Sequence, residues 1–384
     1  MGDKLAMRNQ SALVRVLCTF VFALFSLFYL YYYQADLLMV MQHVFSKGQT
    51  HYNHFIGAIL ITMVLMIVQI GVMKLCRNTY TLWAFTFVPS AICLTMLTNV
   101  ESDVDTGLLT FGSWVYWGPL AMLLFAALVY ACHRTGFSES VLSPMSNAIT
   151  NLWVNLLIVC LTCLSVCFTG NADKVYHTRI HAEQCIIDGR YDEALYTIQS
   201  CNRSDENLTM LACYALSKKK VLAESLFEYQ PTGGSKAMMP DGANIKFEMI
   251  SERLFYKYLG TWYRQKMSAM KYLDFQRRHN LINTTTADYL LCGYLLDKHL
   301  DAFAANVGKY YAVNDSTALP KHIKEALILY THLHSSPVVV YKNTIMDADF
   351  QDFQKMQKAY ADKRERQTAL RDTYGNTYWY YYYY

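Results

Sequence analysis

One nine-residue stretch carries the side chains most typical of a metal site. In "HTRIHAEQC", His177, His181 and Cys185 follow one another at intervals of four residues, so a helix would present all three along one face. Two His at this spacing can share a zinc ion, but one helix rarely supplies a complete ligand set. Packing and capping within a helical domain is the favoured alternative, and no cofactor is predicted.

A second candidate for chemistry is an acid at the start of a loop. Asp36 directly follows the first long apolar segment, and Glu101 and Asp103 lie in the loop "ESDVD", predicted on the same side of the membrane. Polytopic glycosyltransferases that use polyprenyl-phosphate sugars place an acid there as a base or metal ligand. Asp is also a favoured N-cap for a following helix. A membrane glycosyltransferase is therefore the alternative function.

Other activities find little support in the sequence. It contains no Gly-rich phosphate loop, no nucleophile elbow and no paired metal motif. The apolar segments have no Lys, Asp or Glu near their centres, where ion pumps and proton-coupled transporters normally need them. The net charge of +4 is too small to predict nucleic-acid binding.

The charge is distributed very unevenly along the chain. Only 17% of the residues are charged, against about 25% in a typical soluble domain. Of the 34 Lys and Arg residues, 7 precede residue 173. This pattern predicts a membrane module at 1–172, followed by a polar domain.

Five apolar stretches reach the roughly 20 residues that a helix needs to cross a bilayer. They are 12–33, 54–75, 80–100, 112–132 and 148–169. The third contains Pro89, which we expect to kink the helix. With the N-terminus inside, six of the seven Lys and Arg residues of the module lie on the inner side. Five crossings then put the chain from 173 onward outside.

Clusters of aromatic residues occur at two places. Tyr31, Tyr32 and Tyr33 end the first span, and the tail at 372–384 closes with "YWYYYYY". Trp and Tyr favour the lipid headgroup region, so interfacial roles are predicted for Tyr31–Tyr33 and for Tyr378, Trp379 and Tyr380. The tail has two interpretations: it anchors to the outer membrane surface, or it caps the last helices of the polar domain.

The polar half, 173–371, has helical periodicity and no convincing strand pattern. In "HAEQCIIDGRYDEALYTIQSC", Gly189 permits a tight turn, Tyr191 wedges between two helices, and Ala194 is small where they approach closely. This turn resembles that of a tetratricopeptide repeat, and weaker echoes follow downstream. The predicted fold is all-α: a polytopic transmembrane module of about five spans, then an irregular tetratricopeptide-like helical-repeat domain.

The order of these features also resembles a family of uncharacterised integral membrane proteins from Bacteroidota. The stretches that carry the resemblance are "YYYQADLLMVMQHVFSKGQTHY", "FVPSAICLTMLTNV", "ALSKKKVLAESLFEY", "LPKHIKEALILY" and "GNTYW". The resemblance implies an inner-membrane module with a periplasmic tetratricopeptide-like domain and a native aromatic tail. It implies no established activity.

The function predicted from these observations is non-catalytic. The protein is expected to be a membrane-anchored interaction or scaffold protein, with an N-terminus in the cytoplasm and a periplasmic helical domain. That domain is expected to bind a protein or peptide partner, because stacked helices form extended grooves. Membrane lipid is the second expected partner.

Overall fold

The computed structural model describes residues 2–75, 83–102, 109, 110, 112–135, 148–201, 203, 205–262, 267–313 and 319–384. Within these residues the chain is helical apart from one antiparallel pair of two-residue strands, β1 (Glu101–Ser102) and β2 (Leu109–Thr110). The chain divides into two compact units, Met1–Asp173 and Lys174–Tyr384. The prediction of a helical chain is confirmed.

The N-terminal unit has six α-helices within the described residues. They are α1 (Gly2–Phe28), α2 (Ala35–Phe45), α3 (His54–Leu75), α4 (Val88–Thr98), α5 (Trp114–Thr135) and α6 (Ala148–Thr169). A π-helical turn, Tyr29–Tyr33, extends α1, and a 3-10 helix, Trp83–Phe87, precedes α4. Helices satisfy their own backbone hydrogen bonds, which the hydrocarbon of a membrane requires.

Four of the described helical segments are long and apolar enough to cross a membrane. They are Ala12–Tyr33, His54–Lys74, Trp114–Ala131 and Ile149–Thr169. Their outward faces carry large apolar side chains such as Phe20, Leu60 and Leu123. Four of the five predicted spans therefore correspond to helices that could cross a membrane by their length and composition.

The predicted third span, 80–100, is described only from residue 83 onward. Its described part is a 3-10 helix followed by the 11-residue α4, and neither piece has the length of a span. Pro89 lies in the first turn of α4, where its missing N–H is tolerated, so the proline starts a new helix instead of kinking a long one. Unlike the four long helices, this segment is mostly buried within its unit.

Buried polar side chains fix how the segment Trp83–Thr98 packs. The hydroxyl of Ser90 donates to the carbonyl of Leu65 (2.8 Å), and Gln69 Nε2 donates to Thr86 Oγ1 (3.0 Å), so the segment is antiparallel to α3. Towards α6, the N–H of Ala84 donates to Asn155 Oδ1 (3.0 Å). The segment runs parallel to α6, because at its other end the N–H of Asn171 donates to the carbonyl of Thr98 (3.1 Å). Such interhelical hydrogen bonds commonly stabilise the packing of membrane helices.

The C-terminal unit is a helical domain with a continuous apolar core. Its helices are α7 (Lys174–Ile187), α8 (Tyr191–Ser200), α9 (Glu206–Lys218), α10 (Leu222–Ser225), α11 (Glu252–Tyr258), α12 (Ala269–Arg278), α13 (Thr284–Leu296), α14 (Leu300–Tyr310), α15 (Lys321–Leu333), α16 (Thr344–Ala359), α17 (Lys363–Tyr374) and α18 (Tyr378–Tyr383). The middle of the core comes from α9, α13 and α15, whose central residues are almost entirely buried.

One turn geometry recurs four times among the described residues of this unit. A residue with left-handed backbone ends the helix, and the next N–H bonds to the carbonyl five residues earlier. The left-handed residues are Gly189, Lys220, Asn280 and Lys298, with φ between 55° and 76°. The closing bonds are Arg190 to Cys185, Val221 to Leu216, Leu281 to Gln276 and His299 to Tyr294, at 2.8–3.0 Å. Each turn sends the chain directly into the next helix.

Candidate partner-binding cleft

The C-terminal unit contains a cleft of about 500 Å³. One wall comes from the end of α8 and the start of α9, including Ile198 and Leu208. The 3-10 helix Leu226–Tyr229 contributes a second wall. Arg371 of α17 and Asn376, just before α18, complete the lining. The cleft therefore depends on a segment that lies more than a hundred residues further along the chain.

Two arginines are the cationic side chains that line this cleft. Arg203 and Arg371 both line it and are exposed, and neither forms an ion pair with any residue that the structure describes. The two acids of the lining are already engaged. Asp205 caps α9 by accepting from the N–H of Asn207 (3.1 Å), and Glu228 pairs with Lys321 (3.2 Å). Two guanidinium groups with free donors are suited to carboxylates.

The aromatic tail, which contributes Asn376 to the cleft lining, is folded into the core of the unit. Tyr378 is 0% exposed and Trp379 is 2% exposed, at the start of α18. The N–H of Tyr378 donates to Glu325 Oε2 (2.7 Å), and the indole N–H of Trp379 donates to the carbonyl of the same residue (2.8 Å). Further on, the hydroxyl of Tyr381 donates to the carbonyl of Leu296 (2.9 Å). Both main polar anchors of the tail thus lie on α15.

The buried carboxylate that holds the tail has a second partner. Glu325 Oε2 accepts from His322 Nδ1 (2.8 Å), one turn earlier on α15. The N–H of Phe227 donates to the other ring nitrogen of His322, Nε2 (3.2 Å). Because Nε2 is an acceptor, Nδ1 carries the proton and the imidazole is neutral. Buried polar groups need such partners, and this chain connects the 3-10 helix of the cleft to the tail.

Aromatic packing surrounds both buried tail residues. The Trp379 ring lies 5.1 Å from Phe350 and 6.2 Å from Phe353, measured between ring centroids. Phe227 contacts Tyr378 and Tyr381 at 5.0 and 4.8 Å. These separations are within the range of favourable ring pairs. Burial raises the pKa of the Tyr381 phenol to about 12, so it stays a neutral donor.

Lys321 links two walls of the cleft directly. Its Nζ donates to Glu228 Oε1 (3.2 Å) and to the carbonyl of Asn376 (3.0 Å). Its backbone N–H donates to Glu224 Oε2 (2.6 Å). The first residue of α15 therefore ties the 3-10 helix to the tail, and the cleft is built by the same contacts that dock the tail.

The predicted interfacial residues lie in two different environments. Tyr31, Tyr32 and Tyr33 form the π-helical turn after α1 and are 39%, 73% and 48% exposed. Tyr378 and Trp379 are core residues of the C-terminal unit, and Tyr380 is half-buried beside them. Of the two interpretations of the tail, this arrangement corresponds to a cap on the helical domain.

The residues of the alternative enzyme site are only partly described. Asp36 lies in the first turn of α2 and is half-buried. Glu101 belongs to β1, and Asp103 lies outside the described residues. Within the described part of the chain, Asp36 does not belong to any close group of three His, Cys or acidic side chains.

The predicted repeat turn has the geometry its residues need. Gly189 has a φ of +76°, which a glycine adopts without strain, and Ala194 is fully buried where α8 faces α7. Tyr191 is half-buried against the core.

The candidate metal ligands are grouped differently from the prediction. His181 and Cys185 lie close together, but their third neighbour is Glu193 and not His177. Sequence spacing along one helix could not reveal a ligand from the next helix.

Comparison with known proteins gives one match. Residues 263–384 match the model of a family of unknown function, DUF6057. The matched segment includes α15, the buried Glu325 and the whole aromatic tail, whereas the cleft walls at 198–231 precede it. No curated protein matches, and no solved structure matches.

Proposed function

We propose that this protein is a membrane-anchored interaction protein whose C-terminal helical domain binds an acidic segment of a partner protein. The observation that carries the proposal is the cleft with Arg203 and Arg371. A peptide with two or three carboxylates would find charge-assisted donors at Arg203 and Arg371, in a cleft whose lining also includes the largely buried Ile198 and Leu208. Of the two acids in the lining, Glu228 is paired with Lys321, and the carboxylate of Asp205 accepts from the N–H of Asn207 at the N-terminus of α9, where the helix dipole partly offsets its charge.

The recurring turns support a helical-repeat origin for the binding surface. Four turns of this geometry, which join α7 to α8, α9 to α10, α12 to α13 and α13 to α14, are what degenerate repeats would produce, and the turn at Gly189 is the one that resembles a tetratricopeptide repeat. Stacked pairs of this kind form concave faces on which extended segments bind. The cleft begins at the junction of the first pair, α7 and α8, with the second, which starts at α9.

We further propose that the chain crosses the membrane five times, with the N-terminus in the cytoplasm and the C-terminal unit in the periplasm. The segment Trp83–Thr98 rises about 26 Å if its 3-10 and α-helical parts are added, close to the bilayer core. Because this segment is antiparallel to α3 and parallel to α6, α3 and α6 run in opposite directions. Opposite directions require an even number of crossings between them. Crossings by Trp83–Thr98 and α5 supply two.

Protease access to the two faces of the native membrane tests this topology. In spheroplasts, added trypsin is expected to digest the C-terminal unit, which has exposed sites such as Lys363 and Arg364. In inside-out vesicles the same unit is expected to be protected, while sites near the N-terminus are cut. Digestion of the C-terminal unit only in inside-out vesicles would contradict five crossings.

Charge reversal in the cleft tests the binding proposal. The whole chain in lipid nanodiscs is used to select from a display library of short random peptides, and we expect acidic peptides to be enriched. The double variant Arg203→Glu, Arg371→Glu should lose this enrichment and bind a selected acidic peptide about a hundredfold more weakly.

The matched control makes the same change in net charge at two residues outside the cleft. Arg278 and Lys358 are exposed and lie outside the cleft, so Arg278→Glu, Lys358→Glu should bind the acidic peptide nearly as the native chain does. Equal loss in both double variants would indicate long-range charge attraction without a site. Enrichment of peptides without acidic residues would contradict the proposal.

A further inference from the structure

We infer that His181, Cys185 and Glu193 form a Zn²⁺-binding site at the junction of α7 and α8. Their ligand atoms, an imidazole nitrogen, a thiol sulfur and a carboxylate oxygen, lie within 4.8 Å of one another. His181 Nε2 and Glu193 Oε1 are 3.7 Å apart. This inference is independent of the partner-binding cleft, because none of the three residues lines it.

The chemistry of the three groups suits zinc. Thiolate, imidazole and carboxylate are the three ligand types that Zn²⁺ takes in proteins. In a tetrahedral site with bonds of about 2.0–2.3 Å, neighbouring ligand atoms are about 3.3–3.6 Å apart. To reach these separations from the observed ones, the ligand atoms must move by about 1 Å, which side-chain rotations can supply. Three protein ligands leave the fourth position for water or for a ligand from outside.

The backbone around the group is held firmly. His181 and Cys185 are one turn apart on α7, and Glu193 is in the first turn of α8. The turn between them is closed by the N–H of Arg190, which donates to the carbonyl of Cys185 (2.8 Å). Cys185 is fully buried, whereas His181 and Glu193 are 37% and 45% exposed. A zinc ion would therefore approach from the solvent side and reach the thiol last.

One of the three candidate ligands, Glu193, already binds a cationic side chain. The guanidinium of Arg190 bonds to Glu193 Oε2 and to Asp188 Oδ2 (2.8 Å), and these two carboxylates raise the pKa of Arg190 above its ordinary value. When zinc binds, Glu193 turns from Arg190 to the metal, and Arg190 keeps its bond to Asp188. The thiol proton of Cys185 passes to solvent, because the thiolate is the ligand.

Cobalt titration of the whole chain in detergent tests the site. Co²⁺ is expected to give tetrahedral absorption with a thiolate-to-cobalt charge-transfer band, and Zn²⁺ should abolish that band by displacement. Cys185→Ser should remove the band. His181→Gln and Glu193→Gln should each weaken zinc binding more than tenfold, and they change side chains that are partly exposed, so the fold is retained.

The matched control is His177→Gln, one turn earlier on the same helix and outside the group, which should bind zinc as the native chain does. Arg190→Ala should tighten binding several-fold, because the competing cation is gone. An octahedral cobalt spectrum without the thiolate band would overturn the inference. So would equal weakening by His177→Gln and His181→Gln.

Discussion

Replacing Trp379 with alanine is expected to lower the free energy of unfolding of the C-terminal unit by about 3–5 kcal/mol. The ring is 2% exposed and packs on Phe350, Phe353 and Tyr374. Its removal leaves a cavity and also leaves the carbonyl of Glu325 without the indole donor. Few single substitutions in the tail would remove as much buried surface.

Native-state hydrogen exchange of the whole chain in nanodiscs measures this effect in the C-terminal unit alone. Amide protection in α15 and α18 is expected to fall on the order of a hundredfold or more. Tyr380→Ala is the control, because Tyr380 is only half-buried on the same short helix, and it should cost much less. If both variants exchange like the native chain, the tail does not belong to the folded core.

Replacing Glu325 with alanine is expected to destabilise the same unit by about 3 kcal/mol. The change leaves two buried donors without an acceptor, the Nδ1–H of His322 and the N–H of Tyr378, at a cost of about 1–3 kcal/mol each. Glu325→Gln keeps one acceptor oxygen and should cost less. The exchange of α18 should rise more than that of α9, because the tail loses its anchor first.

An exposed glutamate supplies the control for this substitution. Glu365, in the first turn of α17, is exposed, so Glu365→Ala should change stability by no more than about 0.5 kcal/mol. Equal effects of Glu325→Ala and Glu365→Ala would mean that the buried carboxylate does not hold the tail.

The sequence predicted the local elements better than the long-range contacts. The apolar runs that became α1, α3, α5 and α6 are long and contain few charged residues, so composition and length were sufficient. The predicted third span differs from these, because its described part is a 3-10 helix followed by α4. Pro89 can start a helix as well as kink one, and the sequence alone did not decide which.

The site residues show the same limit. The stretch "LPKHIKEALILY" predicts an amphipathic helix, but nothing in it marks His322 and Glu325 as a buried pair. Their partner Tyr378 lies 53 residues beyond Glu325. Likewise, Glu193 joins His181 and Cys185 only because the turn at Gly189 folds α8 back on α7. A run of aromatic residues predicts burial of some kind, but not whether lipid or protein covers it.

The affinity of a selected acidic peptide for tail variants tests the proposed cleft most directly. Asn376 lies between α17 and the docked α18, and its carbonyl accepts from Lys321, so loss of docking should displace this part of the cleft lining and the neighbouring end of α17. We expect Trp379→Ala to lower the affinity for the acidic peptide about tenfold, and Arg371→Ala to lower it by a similar factor. The measurement is made at a temperature where α9 and α13 still show native hydrogen exchange. If hydrogen exchange shows that the tail is undocked in Trp379→Ala and the peptide still binds with native affinity, the C-terminal segment does not build the partner site.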